Sequence, residues 1–358
     1  MPPMPVKIGV LYDAPTINPA SPNFRAMELR LEEFNARGGV EGRQVELVYH
    51  AANAAHEGLP ENAVAGWRHL ASNPEIVGIL GPGITDNTLA VIDTVDQGKV
   101  PTIQWSGDET ARGEWYFHFQ AGSLPDEGLY LARLMAQLGH RRVGILQSGV
   151  VGERYFAGFA QEAREQDIEI VSHQLANVHA TDVVPQMERI HAASPDCALF
   201  LGMAEPTLAF GRAIRELGWD VPRFSNIAML TMALDPKAIE VNEGIIWVDQ
   251  YEPRNPVLAR LEAAYEARYG ERPPPIFIHA IGYDIMTLML EGLRRSTNLT
   301  RSGLKDGLER VHQLPCATGG LNPVMGFSPW DRQAIKGPDL FMFRTVRDGK
   351  VVTYEPDR

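Results

Sequence analysis

The 358-residue chain has few side chains able to form cross-links, because only two of its residues are cysteine. Cys197 lies in the apolar run 197–201 and is predicted to be a small buried core residue. Cys316 lies in a segment rich in Pro and Gly. Their spacing neither requires nor excludes a disulfide between them.

The sequence also lacks a long apolar run and an excess of positive charge. No run approaches the ~18 residues that a membrane-spanning helix needs. The formal net charge is −12 and the pI is about 5.3. A surface of this charge repels nucleic acid and anionic lipid, so neither is an expected partner. The length suits two domains, each with its own core.

Known catalytic motifs are missing as well. The sequence contains no G-x-S-x-G elbow, Walker loop, H-E-x-x-H pair or Cys/His metal spacing. The ten histidines are scattered, and His118, His140 and His279 are interpreted as structural residues rather than ligands. The prediction is therefore a protein that is not an enzyme and that holds no cofactor and no metal ion.

No secretion signal is recognisable at the start of the chain. It begins Met1-Pro2-Pro3-Met4-Pro5, and a strand-like run already starts at Val6. A signal peptide needs a basic region and then an apolar region, and neither is present. Two expectations stay open: a signal peptide was removed, or the protein is cytosolic.

What the sequence does contain is a regular alternation of strand-like and helix-like segments, which predicts parallel sheets covered by helices. Because the order repeats from about residue 122, two similar α/β lobes are expected. The first series consists of strand 6–11, helix 24–37, strand 45–49, helix 60–73, strand 76–80, helix 86–97 and strand 100–104. The second consists of helix 125–138, strand 142–147, helix 152–166, strand 168–174, helix 181–193, strand 197–202, helix 206–217, strand 223–226 and strand 244–249.

The pattern changes after Gln250. A stiff extended linker is predicted at 272–275, where three prolines follow an arginine. The flanking segments are helices 255–269, 278–294 and 300–311, a strand-like segment 319–327, and a hairpin of 339–346 with 350–354.

Gly38-Gly39-Val40-Glu41-Gly42-Arg43 joins the first helix to the second strand. Its glycines permit a left-handed helix end and then a tight turn. Together with Ile281-Gly282-Tyr283-Asp284 and the segment 337–352, it resembles the leucine/isoleucine/valine-type ABC transporter solute-binding proteins, which have the type I periplasmic binding protein fold. The resemblance spans nearly the whole chain.

This resemblance implies two three-layer lobes joined by a hinge of three crossings, near Gly122, Gln250 and Phe327. Lobe 1 would contain 1–121 and 250–326, and lobe 2 would contain 122–249 and 327–358. The ligand would bind in the cleft between the lobes, which close on it, and the closed form would dock on ABC transporter membrane subunits. It also implies a monomer or weak dimer in the periplasm or cell envelope, with cytoplasm as the alternative.

Two other functions stay open at this point. Within the same fold, a cytosolic sensor similar to the amide-sensing regulators is the alternative. The turn at 81–86, Gly-Pro-Gly-Ile-Thr-Asp, follows a strand and opens a helix, so a Rossmann-type oxidoreductase is a remote alternative. The turn lacks the third glycine of a dinucleotide fingerprint, and Pro82 removes a backbone donor.

By resemblance, candidate ligand residues of lobe 1 lie after the third and fourth strands. Ile84 and Thr85 match a pair whose second member, a hydroxyl residue, binds the ligand carboxylate in this family. Helix capping by Thr85 or Asp86 is the alternative. After the fourth strand the candidates are Trp105, Ser106, Gly107 and Asp108. Trp105 either stacks on a ligand or packs in the core, and Asp108 either faces the ligand or caps the next turn.

The candidates of lobe 2 also depart from the family pattern. Leu124 stands where the family has an aspartate, and Val151 replaces a tyrosine that covers the ligand. Ala204 or Glu205 matches a position that is often aromatic, and Ala228 replaces the acid that pairs with the ligand ammonium. Glu205 is the nearest substitute acid, with a solvated surface role as its alternative.

These departures predict that the ligand is not a standard branched-chain amino acid. Asp108 takes the place of a threonine that binds the ligand carboxylate in the family, and an ionised aspartate repels a carboxylate. A polar or aromatic organic solute is expected instead.

Overall fold

The computed structural model describes residues 4–13, 18–54 and 59–356, without the side chains of 231–233. Within this part of the chain, contacts divide the molecule into two compact units. Unit 1 takes 1–121, 252–273 and 277–340, and unit 2 takes 122–251, 274–276 and 341–358.

Fifteen β-strands are present in the described residues. In chain order, β1 to β15 are Val6–Tyr12, Val45–Ala51, Ile76–Leu80, Thr102–Ser106, Tyr116–Gln120, Arg142–Ser148, Glu169–Ala176, Cys197–Leu201, Arg223–Ser225, Ile246–Asp249, Leu314–Pro315, Val324–Met325, Ile335–Lys336, Met342–Arg347 and Lys350–Tyr354.

The same part of the chain forms twelve α-helices and two 3₁₀ helices. The α-helices α1 to α12 are Pro22–Ala36, Pro60–Ala71, Thr85–Ala90, Ile92–Gly98, Leu124–Gln137, Gly149–Glu165, Val184–Ala192, Pro206–Glu216, Pro236–Val241, Pro256–Tyr269, Ile278–Arg295 and Arg301–Leu308. The 3₁₀ helices are Ile227–Leu234 and Pro338–Leu340.

Unit 1 is built on a five-stranded parallel sheet in the order β2-β1-β3-β4-β5. Trp67 and Leu70 of α2 and Val95 of α4 pack with β1 and β3 in one apolar core. Helices α11 and α12 contact β3, and α1 packs on α11. Because helices cover the sheet, strand β3 is buried along its whole length and is continuously apolar, as a parallel strand inside an α/β sheet must be.

Unit 2 repeats this topology. The strands β7-β6-β8-β9-β10 are parallel and follow the same order as the five strands of unit 1. The sheet is extended by β14, which is antiparallel to β10, and then by β15, which is antiparallel to β14. Met187 of α7 and Phe210 of α8 pack against Phe200 and Trp247 in one apolar core. The predicted α/β fold with two similar units on parallel sheets is confirmed.

The prediction of individual elements was incomplete. Strand β5 and the helical segments Ile227–Leu234 and Pro236–Val241 were not predicted. The predicted helix 86–97 is divided into α3 and α4 at the buried Val91, the last residue before the second helix begins.

Residues 327–340 were assigned to the second lobe from the sequence, but their contacts lie in unit 1. Strand β13 extends the small antiparallel sheet β11-β12-β13. The amide of Ala334 donates to the carbonyl of His118 at 2.8 Å. The side-chain amide of Gln120 exchanges two hydrogen bonds with the backbone of Ile335. These bonds tie the segment to the edge strand β5.

The glycine-rich connector adopts the predicted turn. Gly39 has φ of +68°, and a β-carbon there would lie 2.0 Å from the carbonyl oxygen of Arg43. The amide of each of Val40 and Arg43 donates to the carbonyl of the other. Gly39 is therefore required both for its backbone conformation and for the close approach of Arg43.

Both cysteines are buried free thiols, so the disulfide left open by the sequence is not formed. No helix within the described residues has the length and apolar character needed to cross a membrane.

Candidate functional site

In each unit the strands run parallel, so their carboxyl ends lie along one edge of the sheet, where ligands bind in open α/β sheets. On unit 1 this edge carries Asp13, a residue that the sequence did not single out. Asp13 directly follows β1 and is fully buried. Its Oδ2 accepts hydrogen bonds from the amide of Ile84 and from Nδ2 of Asn87, both at 2.9 Å. The amide of Gly83 lies 3.2 Å from both carboxylate oxygens.

The Asp13 carboxylate therefore occupies two backbone donors of the turn that follows β3. An ionised carboxylate is a strong acceptor for such amides. Its position also places a negative charge beneath the turn that holds the candidate residues Ile84 and Thr85. The sequence signal that could have identified Asp13 is an acid placed directly after the first strand. Its partners could not be recognised from the sequence, because they come from distant segments of the chain.

Thr85 is the first residue of α3, and the capping position belongs to Ile84, which has no side chain able to cap. The capping alternative for Thr85 and Asp86 is therefore wrong. Thr85 is half-buried, and its side chain makes no hydrogen bond within the described residues. Its carbonyl accepts from the hydroxyl of Thr88 at 2.7 Å.

Trp105 lies under the same turn and is only 5% exposed. A β-carbon added to Gly83 would lie 2.3 Å from the indole Nε1 of Trp105, so the ring packs directly against the glycine. This burial favours the packing alternative for Trp105 over that of a stacking wall for a ligand.

Asp108 is also buried, at 1% exposure, and it completes a local turn. Its Oδ1 accepts from the amide of Thr110 at 2.9 Å and from the Thr110 hydroxyl at 2.6 Å. This arrangement corresponds to the turn-capping alternative. Gly107 is buried beside it.

Ser106 differs from Asp108 in that its hydroxyl oxygen is buried without a hydrogen-bond partner among the described residues. Its carbonyl oxygen lies 2.9 Å from Nε2 of His118. Burial lowers the pKa of His118 to about 4, so this imidazole is neutral at pH 7 and acts as a structural side chain, as the sequence predicted.

The two neighbouring side chains should respond differently to truncation. Asp108→Ala leaves the Thr110 amide without its acceptor and should lower the free energy of unfolding by about 1 to 3 kcal/mol. Ser106→Ala removes an unpartnered hydroxyl and should change it by less than about 1 kcal/mol. Urea unfolding of both variants measures the difference. Equal losses in the two variants would contradict the structural role of Asp108.

On unit 2, three of the predicted residues lie together at the carboxyl edge. Val151 is in the first turn of α6, after β6, and Ala204 and Glu205 follow β8, which pairs with β6. Ala204 and Glu205 are exposed and Val151 is half-buried. The Glu205 carboxylate lies 3.9 Å from Nδ1 of His179, which comes from the loop after β7.

The other two predicted residues of unit 2 are buried. Leu124 is the first residue of α5 and is 5% exposed. Ala228 belongs to the apolar core with Phe200 and Trp247. In this chain both side chains pack inward.

Two polar side chains that were not predicted hold the loops of this edge in place. Asn226, after β9, donates from Nδ2 to the carbonyl of Gly202 at 3.0 Å and accepts from the Gly202 amide at 3.3 Å. Ser148, the last residue of β6, donates to the carbonyl of Met203 at 3.1 Å. The loops after β6, β8 and β9 are thereby joined into one surface.

Glu127 of α5 joins this surface to the start of unit 2. Its carboxyl group is fully buried and accepts from the amide of Ser123 at 2.9 Å and from the amide of Ile227 at 2.8 Å. Burial raises the pKa of Glu127 to about 8. This acid thus fixes the segment that carries Ala228 relative to the one that carries Leu124.

The edge of unit 2 also exposes apolar side chains. Val150 is 75% exposed, Leu175 is 66% exposed and Met203 is 40% exposed. They lie at or just beyond the carboxyl ends of β6, β7 and β8. Large apolar side chains gathered on one exposed edge are typical of a surface that is covered when a ligand or partner binds.

A family model described as periplasmic binding protein matches residues 5–350. Among curated proteins, glutamate receptor 2.6 of Arabidopsis thaliana is 22% identical over 322 residues, covering 85% of this chain and 32% of the relative. Glutamate receptor 2.5 of the same plant is 21% identical and is covered to 30%. The chain thus spans about a third of the length of these curated relatives.

Solved structures of similar fold match along the whole chain. One is a periplasmic binding protein type 1 from Bordetella pertussis Tohama I, at 23% identity and a TM-score of 0.81, with 98% of this chain and 99% of that one covered. Another is an ABC transporter substrate-binding protein from Desulfitobacterium hafniense in complex with Leu, at 21% identity and a TM-score of 0.81, with the same coverage. A third is the branched-chain amino acid transporter substrate-binding protein LivJ from Streptococcus pneumoniae in complex with isoleucine, at 19% identity and a TM-score of 0.79, with 97% of each chain covered.

The expected resemblance is therefore confirmed at the level of fold. The structural neighbours and the family are binding proteins. Because the family match runs through both units and the type I fold is shared along the whole chain, the protein belongs to the periplasmic binding protein family.

Proposed function

We propose that the chain binds a small organic solute outside the cytoplasmic membrane and delivers it to the membrane subunits of an ABC transporter. The observation that carries the solute-binding part is the family match, which covers 5–350 and so includes the candidate edges of both units. The sequence-based expectation that both edges contact one ligand, and that the units close on it, is part of this proposal.

The ligand class follows from the charge at the edge of unit 1. The buried Asp13 carboxylate already accepts from the amides of Gly83 and Ile84. A ligand carboxylate about 4 Å away would be repelled by roughly 4 kcal/mol at an effective dielectric constant of 20. A hydroxyl, amide or cationic group would suffer no such repulsion beside Thr85. The side chain proposed to disfavour an amino-acid carboxylate is therefore Asp13, whereas the sequence had suggested Asp108.

The edge of unit 2 supports an apolar portion in the ligand. Val150, Val151 and Met203 supply aliphatic surface there. Glu205 and His179 are the polar side chains beside it. A solute with an aromatic or aliphatic portion and an uncharged or cationic polar end suits both edges.

Leucine is expected to bind poorly to this protein. Isothermal titration calorimetry of the purified chain should give a dissociation constant weaker than about 1 mM, which corresponds to about −4 kcal/mol. Micromolar binding of leucine, about −8 kcal/mol, would contradict the proposed repulsion while leaving solute binding intact.

Native mass spectrometry of the purified protein tests the proposed function directly, because a small molecule that co-purifies is detected by its mass. With the compound so identified, Thr85→Ala should weaken its binding, and X-ray scattering should show a smaller radius of gyration at saturation. An unchanged scattering profile at saturation would contradict closure. Spectroscopic binding of NADH would instead favour the oxidoreductase alternative.

A further inference from the structure

Unit 2 carries a cluster of three chemically different donor groups that the proposed function does not use. His140 precedes β6, and Asp196 and Cys197 lie at the start of β8. The imidazole, carboxylate and thiol each offer one ligand atom, and these atoms all lie within 4.8 Å of one another. His140 Nδ1 and Asp196 Oδ1 are 3.8 Å apart.

The sheet holds this cluster in place. Strands β6 and β8 are hydrogen-bonded neighbours, with Val143 opposite Cys197, and the amide of Asp196 donates to the carbonyl of Arg142 at 2.8 Å. Oδ2 of Asp196 accepts from the amides of Arg141 at 2.7 Å and Arg142 at 3.0 Å. These bonds orient the carboxylate so that Oδ1 is directed at the imidazole, as outer hydrogen bonds do for ligating carboxylates.

We propose that His140, Asp196 and Cys197 form a binding site for a divalent transition-metal ion of the zinc type. Zinc takes nitrogen, oxygen and thiolate ligands with bonds of about 2.0 to 2.3 Å, which places tetrahedral donors roughly 3.3 to 3.7 Å apart. The separation between His140 and Asp196 is already close to this range, and the thiol needs a shift of roughly 1.5 Å at most. The fourth position would be taken by water, since His140 and Asp196 are partly exposed.

Protonation of the donors sets the pH dependence of this site. Burial and nearby Arg141 lower the pKa of His140, against the opposing effect of Asp196. Burial and Asp196 raise the pKa of the Cys197 thiol. Metal binding forms a metal–sulfur bond and releases the thiol proton to solvent, so affinity should rise with pH. The guanidinium of Arg142 is paired with Glu169 at 2.7 Å.

The site lies at the amino ends of β6 and β8, whereas Val151, Ala204 and Glu205 lie beyond their carboxyl ends. Metal binding at the first edge is therefore expected to stabilise unit 2 without competing for solute at the second. This separation makes the proposal testable independently of the proposed function.

Cobalt(II) titration of the full, reduced chain is the test, because a thiolate–cobalt bond gives a near-ultraviolet charge-transfer band. We expect this band at one equivalent of cobalt, its loss on adding zinc, and a higher melting temperature with zinc. Cys197→Ser should abolish the band. His140→Ala, which alters a partly exposed side chain, should weaken cobalt binding by at least the roughly 10- to 100-fold that loss of an outer-sphere partner costs.

Cys316→Ser is the matched control, because Cys316 is the only other thiol in the sequence and belongs to unit 1. The band should be unchanged in this variant. Absence of a charge-transfer band in the wild-type protein at excess cobalt would overturn the proposal. So would a band that survives in Cys197→Ser, or wild-type affinity in a folded His140→Ala variant.

Discussion

Raising the pH through the neutral range is expected to destabilise unit 2, because Glu127 is buried as a neutral acid. Burial raises the pKa of Glu127 from 4.5 to about 8. Between these values the unfolded chain is ionised at this residue while the folded unit keeps the proton, so unfolding releases a proton. The stabilising contribution is complete below about pH 4.5 and is lost as the pH rises to about 8. The loss is on the order of 5 kcal/mol.

Glu127→Gln should remove this dependence, since glutamine does not titrate. The variant keeps one acceptor oxygen, so either the Ser123 or the Ile227 amide loses its partner, at a cost of about 1 to 3 kcal/mol. It should therefore be less stable than the wild type at about pH 5 and equally or more stable at about pH 9. Urea unfolding across this range, with hydrogen exchange of the 124–165 peptides to report on unit 2, measures the crossing.

Glu162→Gln is the matched control in the same unit. Glu162 is also buried, but it pairs with Arg133 at 2.8 Å, which lowers the pKa of its carboxyl group. Its contribution is present above the unfolded pKa and is lost as the pH falls, so this variant should lose most stability at high pH. Parallel pH profiles for the wild type and Glu127→Gln would show that Glu127 is not neutral in the folded unit.

Replacing Asp13 with alanine should destabilise unit 1 by roughly 2 to 5 kcal/mol, because each donor left without an acceptor costs about 1 to 3 kcal/mol. The amides of Gly83 and Ile84 lose their acceptor entirely, whereas Asn87 keeps the carbonyl of Ala54. Asp13→Asn retains one acceptor oxygen and should fall between the wild type and the alanine variant. Urea unfolding followed by tryptophan fluorescence measures the losses.

Asp86→Ala is the control for the Asp13 variants. Asp86 is an exposed acid in the first turn of α3, the helix that follows the same turn. Its carboxylate lies near the positive end of the helix dipole, which contributes about 0.3 to 1 kcal/mol. If Asp13→Ala were no less stable than Asp86→Ala, the contacts of Asp13 with the turn would not contribute to folding.

Most elements could be predicted because their signals are local. Amphipathic periodicity and the turn at Gly39 are each recognisable within a few residues of sequence. They correctly indicated the alternation of strands and helices. Strand β5 was missed because its sequence, Tyr-Phe-His-Phe-Gln, places polar side chains inside the sheet. Those polar groups are accommodated by distant partners, such as the backbone of Ile335 for Gln120.

The candidate site was harder to predict than the fold. Position matching selected Asp108 and Ala228, but both side chains are buried in this chain. Asp13, Glu127 and Asn226 were missed, because each acts on backbone groups between 24 and 100 residues away.

By itself, the sequence determined most of the order of helices and strands, the repeat of that order in two units, and the membership of a binding-protein family. Only the tertiary structure decided which side chains meet at the sheet edges: Asp13 with Gly83, Glu127 with Ile227, and His140 with Cys197. The physical reason is that parallel strands need long connections, so neighbours in the sheet are distant in the chain. The charge that a ligand meets, and the donors that a metal ion meets, depend on those distant pairings.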